Sequence, residues 1–259
     1  MANSLSFNGT ALSTHGAYVV RDFVVPTLAT PKLSTSEVVG RHGGYLLDAK
    51  YQIRDVTVPM LLFGYANTAA FYTAIDSLNA ILDITLGPKQ LIFDYNSSRY
   101  LNAIAASNFD AKKLSLTAAK AQITFQCVDP FWYAVAETTD TIDVVSSPQT
   151  LSLTPSGNAD SEPVFTILPG VLPAESDITI YNITSNTKLT WATPGETTVN
   201  DEIIIDCASW LVKLNGVVSM ATLDHGSVFP VLIPGVLNYI RITGLSDAEL
   251  TYAYSARWL

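Results

Sequence analysis

The chain has 259 residues, with 14 Lys plus Arg against 23 Asp plus Glu and a net charge of −9 at neutral pH. An apolar fraction of 48% with 14% charged residues is ample for a packed core and excludes the disordered class. An acidic chain without a Lys/Arg cluster gains little from neutralising phosphates, which excludes sequence-specific nucleic-acid binding and attraction to an anionic membrane surface.

The acidity is uneven. Residues 1–137 hold 10 basic and 10 acidic side chains, whereas residues 138–259 hold 4 basic and 13 acidic, so the second part carries the whole excess. That split, with a length that allows two units of roughly 100–150 residues, predicts two domains, 1–137 and 138–259.

The opening MANSLSFNG has neither a basic region nor an apolar core, so it does not read as a secretory signal and synthesis in a cytoplasm is expected. From Tyr45, the odd positions Tyr45, Leu47, Ala49, Tyr51 and Ile53 are apolar while Asp48, Lys50, Gln52 and Arg54 are polar, the period of a half-buried strand. After Asp55 the apolar positions become even (Val56, Val58, Met60, Leu62), which predicts a β-bulge near Arg54–Asp55. The uncharged stretch Val56–Ile75 is broken by Pro59, Gly64 and Asn67 and does not read as a membrane span.

Between Asn67 and Ile84 the period becomes helical, with Phe71, Ile75, Leu78 and Leu82 on one face, Asn67 or Thr68 as cap, and Gly87–Pro88 as stop. Strands are expected at Gln90–Tyr95 and Tyr100–Ala106. A long one, with Ala121, Ile123, Phe125 and Cys127 alternating against polar neighbours, should end at Asp129–Pro130. Phe131, Trp132 and Tyr133 should pack at that domain's edge.

Beyond it, short β-rich runs recur at Ile142–Val145, Val164–Leu168, Ile178–Asn182, Lys188–Trp191, Ile203–Asp206, Trp210–Leu214, Tyr239–Thr243 and Leu250–Trp258. Short strands separated by Ser, Pro, Gly and Asn, with no helical period, predict a β-sandwich.

Chemistry-bearing patterns are sparse. His15, His42 and His225 lie far apart and outside any metal-binding spacing, so neither metal nor cofactor is expected. Ser227 lies near His225 but in no nucleophile elbow, and the pair Asp201 and Asp206 reads as solvated surface rather than glycosidase acids. Cys127 and Cys207 read as buried free thiols. The sequons at Asn8, Asn96 and Asn182 mean little without a secretion route. Gly40–Gly44, GRHGG, reads as a tight turn into the next strand rather than an anion nest. Trp132, Trp191, Trp210 and Trp258 read first as core or interface residues, with sugar stacking as the alternative.

Several strings, taken in order, resemble the distal tail proteins (Dit) of siphophages: Phe7 followed by a Tyr18–Val25 strand, then GRHGG at 40–44 and the alternating strand after it. The DSLNAILD helix, LIFDYNSSRYLNA at 91–103 and FQCVDPFWY at 125–133 follow, with FPVLIPGVLNYIRITG at 229–244 and the terminal aromatic strand in the second part. The motif positions that match are Gly40, Arg41, Gly43, Gly44, Asp94, Arg99, Tyr100, Asp129, Pro130 and Phe131, then Pro230, Pro234, Gly235, Arg257 and Trp258, all with structural roles.

The resemblance implies a mainly β fold with two domains: an N-terminal β-rich belt, a tail-tube-like split barrel or sandwich with one α-helix, and a C-terminal galectin-like or carbohydrate-module-like β-sandwich at the periphery. It implies a non-enzymatic virion protein at the distal end of the tail, forming a hexameric ring that links tail tube to tail tip or baseplate and leaves a channel for DNA. The implied partners are other copies of the chain, the tail tube protein and the tail-tip hub protein, with the tape measure and receptor-binding proteins as further contacts. Ring closure needs two different surfaces on each belt, and charge parity in residues 1–137 limits repulsion between packed copies. The alternative is a carbohydrate-binding adhesion module using Trp191 and Trp210 of the sandwich.

Overall fold

In a computed structural model of the chain, residues 4–20, 28–40, 42–171, 177–194, 197–199 and 201–259 are described. The chain divides into two compact units, Met1–Val135 with Leu259, and Ala136–Trp258.

The first unit contains β1 (Leu5–Phe7), β2 (Thr10–Ala11), β3 (Ala17–Val19), β4 (Pro31–Glu37), β5 (Gly44–Tyr51), β6 (Arg54–Leu62), α1 (Thr68–Ile81), β7 (Lys89–Phe93), β8 (Arg99–Ala105), β9 (Lys112–Ser115), β10 (Ala118–Cys127) and β11 (Trp132–Ala134). Their order in the main antiparallel sheet is β2-β1-β7-β8-β10-β6-β3, with β9 on β10 and β11 on β8. The expected continuation of β3 through Val25 falls largely outside the described residues.

β6 and β10 pair without interruption from Ala119 opposite Leu62 to Cys127 opposite Arg54. Their inward positions alternate as the sequence predicts: Val56, Val58, Met60 and Leu62 on one strand, Ala121, Ile123, Phe125 and Cys127 on the other, all buried. The sheet curls strongly. In a flat sheet β1 and β10, three strand spacings apart, would lie about 14 Å from each other, yet the Phe7 and Phe125 rings approach to 5.1 Å between centroids.

The helix begins where its cap predicts, Asn67 Oδ1 accepting the Ala70 N–H at 2.8 Å. It stops earlier than expected, at Ile81 rather than Ile84, because the Asp83 carboxylate accepts the Thr85 N–H at 2.9 Å and starts a separate tight turn, Ile84–Leu86. Phe71 and Leu78 carry its buried stripe, and Tyr65 meets Phe71 edge-on.

The expected bulge at Arg54–Asp55 is not what the structure contains. β5 ends at Tyr51, Gln52 and Ile53 lie outside any strand, and β6 starts at Arg54 as a new strand. The change of phase is a strand break. Arg54 faces inward at 2% exposure, with its guanidinium 5.8 Å from the Trp132 ring centroid.

The second unit contains β12 (Thr138–Val144), β13 (Gln149–Leu153), β14 (Val164–Val171), β15 (Asp177–Asn182), β16 (Thr187–Ala192), β17 (Ile203–Asp206), β18 (Leu211–Leu214), β19 (Val217–Val218), β20 (Asn238–Thr243), β21 (Ser246–Tyr254) and β22 (Arg257–Trp258). Two antiparallel sheets, β12-β21-β14-β17-β18-β19 and β13-β20-β15-β16, form a sandwich. Phe165, Ile167, Ile203, Ile205 and Leu250 from one sheet share a core with Ile178, Ile180, Leu189, Trp191, Ile240 and Ile242 from the other.

One end of this sandwich is closed by a buried amide pair. Asn238 Oδ1 accepts from the Ile233 N–H at 2.9 Å and from Asn182 Nδ2 at 3.0 Å, while Asn238 Nδ2 donates to the carbonyls of Ile233, Val236 and Leu153. Asn182 Nδ2 also donates to the Val231 carbonyl at 2.6 Å. These bonds fold residues 231–238 back onto β15 and β20, and they place the Asn182 sequon in the interior, where both asparagines are fully buried.

Both cysteines are buried and free. Burial pushes the Cys127 thiol up to about 12, outweighing the nearby Arg54 guanidinium, and pushes Cys207 up as well, with Asp206 and Glu162 adding to the effect.

Truncating Asn238 to Ala would strand several buried polar groups at once and should lower stability by about 3 kcal/mol, read as a fall in the urea midpoint of the second unit. Neither thiol should react with Ellman's reagent at pH 8 in the folded protein, and both should react in denaturant; rapid native labelling would contradict the burial.

Candidate assembly surface

β4 and β5 form a two-stranded antiparallel sheet of their own. Pro31 stands opposite Tyr51, Leu33 opposite Ala49 and Ser34 opposite Asp48, with a register shift at Ser34/Thr35. Opposed residues share a face, so Pro31, Leu33, Ala49 and Tyr51 lie together, and beyond the shift, where Thr35 stands opposite Leu46 and Ser36 opposite Tyr45, Leu46 joins that face, Tyr45 passes to the other, and Leu47 is the extra residue between them. The reverse face carries Lys32, Ser34, Asp48 and Lys50, with Lys50 Nζ 3.7 Å from Asp48 Oδ2.

The half-buried environment expected for the Tyr45 strand is not found in the chain. Every residue of β5 is exposed, Leu47 at 66%, and Leu33 on β4 at 62%. Alternation of this kind fits a strand with one covered face, so the pattern is built for a cover that the described residues do not supply. β4 itself escaped sequence reading because Leu33 is the single large apolar residue in PKLSTSE; its partner strand was the available signal.

The GRHGG segment belongs to the turn of this hairpin. Gly40 and Gly43 both have φ of +84°, a left-handed conformation that favours glycine; Arg41 lies outside the described residues. Gly44 opens β5, and His42 is exposed.

The other first-unit motif residues gather near the ends of β7, β8, β10 and β11. Asp94 ties the start of the chain to the end of β7: its Oδ2 accepts the Ser4 N–H at 2.9 Å. Arg99 and Tyr100 begin β8 opposite Ala134 and Tyr133, and the two tyrosine rings stack at 5.5 Å. Asp129 holds the bend after β10 through Oδ1, which accepts the Phe131 N–H at 3.1 Å, and through Oδ2, which accepts the Tyr133 hydroxyl. Pro130 and Phe131 are half-buried within that bend. These bonds fix the backbone of the bend.

In the second unit Pro230 is buried, Pro234 is half-buried, and the Gly235 N–H donates to the Pro155 carbonyl at 2.9 Å. Arg257, 9% exposed along its side chain, places Nη1 2.7 Å from Glu162 Oε2. Its carbonyl accepts the N–H groups of Asn158 and Ala159. Gly157, not singled out from the sequence, makes this approach possible: at φ +112° a Cβ there would sit 2.2 Å from the Arg257 carbonyl oxygen. Trp258, half-buried, follows in β22.

The alternative chemical readings separate cleanly. Asp206 Oδ1 accepts the N–H groups of Ala208 and Ser209, and Asp201 accepts from Thr198 and from Asn215 Nδ2, so each carboxylate holds its own turn. Those bonds draw the Asp201 carboxyl below its ordinary range. Ser227 Oγ is committed to the Thr190 backbone, donating to its carbonyl at 3.0 Å and accepting its N–H at 2.9 Å. Among the described residues no group of three or more His, Cys, Asp or Glu is placed to hold a metal, and no helix is long and apolar enough to cross a membrane. Trp191, weighed above as a sugar platform, is fully buried with Nε1 donating to the Ser219 carbonyl at 2.9 Å, and Trp132 is 6% exposed. Trp210 is 68% exposed.

A cleft of about 660 Å³ opens in the first unit between the Leu12–His15 turn and the helix, lined by His15, Tyr18, Phe63, Tyr65 and Ala74 among others. The Tyr65 hydroxyl donates to the His15 carbonyl at its rim. Apart from His15 its lining is aromatic, small and hydroxyl-bearing, with no Asp, Glu, Lys or Arg.

Comparison with known proteins finds likenesses among phage tail components. The family of phage tail protein RIFT-related domains matches residues 11–127, and that of siphovirus-type tail component C-terminal domains matches residues 156–258. The fold is similar to the crystal structure of the SPP1 Dit protein, described as a paradigm of the hub adsorption apparatus in phages infecting Gram-positive bacteria, with a TM-score of 0.78 and 16% identity over 100% of both chains. It is also similar to a chain of the phage P2 baseplate in its activated conformation with calcium, with a TM-score of 0.56 and 10% identity over 98% of each chain. The strontium form of that baseplate gives 0.56 and 11% over the same shares. No curated protein matches the sequence. With the two tail domains matched in order along one chain, the protein belongs to the siphophage distal tail protein (Dit) family, a structural component of the phage tail.

Proposed function

We infer that the chain is a non-enzymatic hub protein at the distal end of the tail, whose copies close into a hexameric ring linking the tail tube to the tip or baseplate and leaving a channel for DNA. Residues 1–137 act as the ring-forming belt and residues 138–259 as the peripheral sandwich. The observation that carries the reading is the β4–β5 hairpin: its large apolar side chains, Leu33, Tyr45, Leu46, Leu47 and Tyr51, are all exposed, on an element that is marginal in water unless something covers it. Ring closure requires two different surfaces on each copy, and the cleft beside the helix provides a second surface in the same unit. The contacts at the two ring faces, with tail tube and with tip, follow from the family rather than from any residue here.

The charges fit a crowded ring. The belt's balanced side chains let copies approach, while the acid excess of residues 138–259 suits a position at the periphery, where it favours solubility.

Native mass spectrometry of the purified chain should give a six-fold species, and electron microscopy a ring with an open centre. A protein that stays monomeric at high concentration and is missing from virions would overturn the reading. Leu47→Asp should shift ring assembly to more than about tenfold higher protein concentration. Because Leu47 is already exposed in the single chain, the same substitution should leave the monomer's stability within about 0.5 kcal/mol, which separates loss of contact from loss of fold.

A further inference from the structure

Trp210 occupies a position that neither backbone nor core explains. It is the last residue of the turn joining β17 to β18, with φ of +59°, in the left-handed region that bulky side chains avoid. The turn itself is held by Asp206 through the N–H groups of Ala208 and Ser209, at 3.0 and 3.1 Å, and by the Cys207 N–H on the Pro163 carbonyl. Glycine or asparagine would complete it without strain. The ring also gains little burial, since Trp210 is 68% exposed. A strained backbone that presents a large aromatic plate to solvent suggests a site rather than a packing element.

The plate borders a cleft of about 380 Å³, within the range of small-ligand sites, whose other walls include Val228, Phe229 and the Glu162 carboxylate. Glu162 is held in place by Arg257 at 2.7 Å and remains 30% exposed along its side chain. An exposed indole face beside an anchored carboxylate suits a ligand with an apolar C–H face and hydroxyls around its edge: the ring takes the face, and the carboxylate accepts a hydroxyl in a charge-assisted hydrogen bond. Glu162 is the one charged residue of the lining, and the segment 138–259 carries 4 basic against 13 acidic side chains, so the cleft disfavours anionic ligands.

From these features we propose that the Trp210–Glu162 cleft of the second unit binds a neutral or N-acetylated hexose saccharide, of mono- to disaccharide size within the cleft. The proposal narrows the adhesion alternative to one tryptophan and one carboxylate. It does not depend on ring closure, because every residue involved belongs to one unit of one chain.

The full-length protein should be applied to an array of neutral and N-acetylated hexose oligosaccharides, with uronic-acid and phosphorylated saccharides as the anionic arm, and the strongest binder titrated by calorimetry. Saturable binding confined to the neutral and N-acetylated arm is expected. Trp210→Gly should weaken it by more than about tenfold, and Trp210→Tyr, which keeps a smaller plate, by less. Since glycine relieves the left-handed backbone, Trp210→Gly should melt at the same temperature as the parent or higher, and it should leave the native mass unchanged, so failure here is distinct from failure of the ring reading. Binding to no saccharide on the array, binding only to anionic ones, or binding that Trp210→Gly leaves intact overturns the proposal. Loss of incorporation into tails without any saccharide signal would overturn it too, reassigning the plate to a protein contact.

Discussion

The first unit is organised by the uninterrupted ladder between β6 and β10, to which β3, β8 and β9 are attached in turn. A one-residue slip would turn Val56, Val58, Met60 and Leu62 out to solvent and their polar neighbours in, so the alternation fixes the register. At one end the ladder sets Arg54 opposite Cys127 and beneath Trp132. A buried guanidinium is expensive unless its surroundings are set; desolvation pulls Arg54 below its ordinary value while raising the thiol of Cys127. A charge held at the end of the longest ladder penalises any slip further, and it joins the sheet to the bend that Asp129 and Tyr133 hold.

That dependence explains what could be read from the sequence. Where one strand packs on its own chain, period and burial coincide: β10 and the even positions of β6 were legible residue by residue, as were the Asn67 cap and the principal strands of the sandwich. The same rule misread β5. Its apolar positions alternate from Leu47 to Tyr51, yet it is exposed throughout, because periodicity records that a face suits a cover and not what covers it. Arg54 was misread for the opposite reason: a charged residue at an apparent phase change looks like a surface bulge, and only the tertiary partners Trp132 and Cys127 reveal a buried strand start. Long-range hydrogen bonds were equally invisible. Asn182 looked like a sequon and Asn238 like nothing, yet together they hold the closing loop of the sandwich, 56 residues apart in the chain.

The hairpin carries an energetic argument that the rest of the unit does not. Two strands exposed on both faces gain little beyond their own ladder, set against the conformational entropy of ordering them. Covering Leu33, Leu46 and Tyr51, which share one face, would return about 1.5–3 kcal/mol for each side chain fully buried, comparable with what a specific contact needs once association has been offset. A monomer therefore forgoes a substantial part of the stabilisation its own sequence encodes, and the apolar strip favours assembly.

The exposed aromatic of the second unit makes a different physical statement. The hairpin presents several exposed apolar side chains along two strands, an arrangement that gains energy by area and so suits a broad, shape-matched surface. Trp210 presents one plate on a strained turn, next to a single anchored carboxylate, and area can contribute little there. Such a site discriminates by geometry: the ring face selects a flat apolar partner and Glu162 rejects negative charge while accepting a hydroxyl. Turning Trp210 inward would relieve the exposure but not the left-handed φ, and replacing it would relieve both without loss to the core. The fold thus tolerates the residue rather than requiring it, and a tolerated strain at a cleft rim favours ligand contact over structural duty.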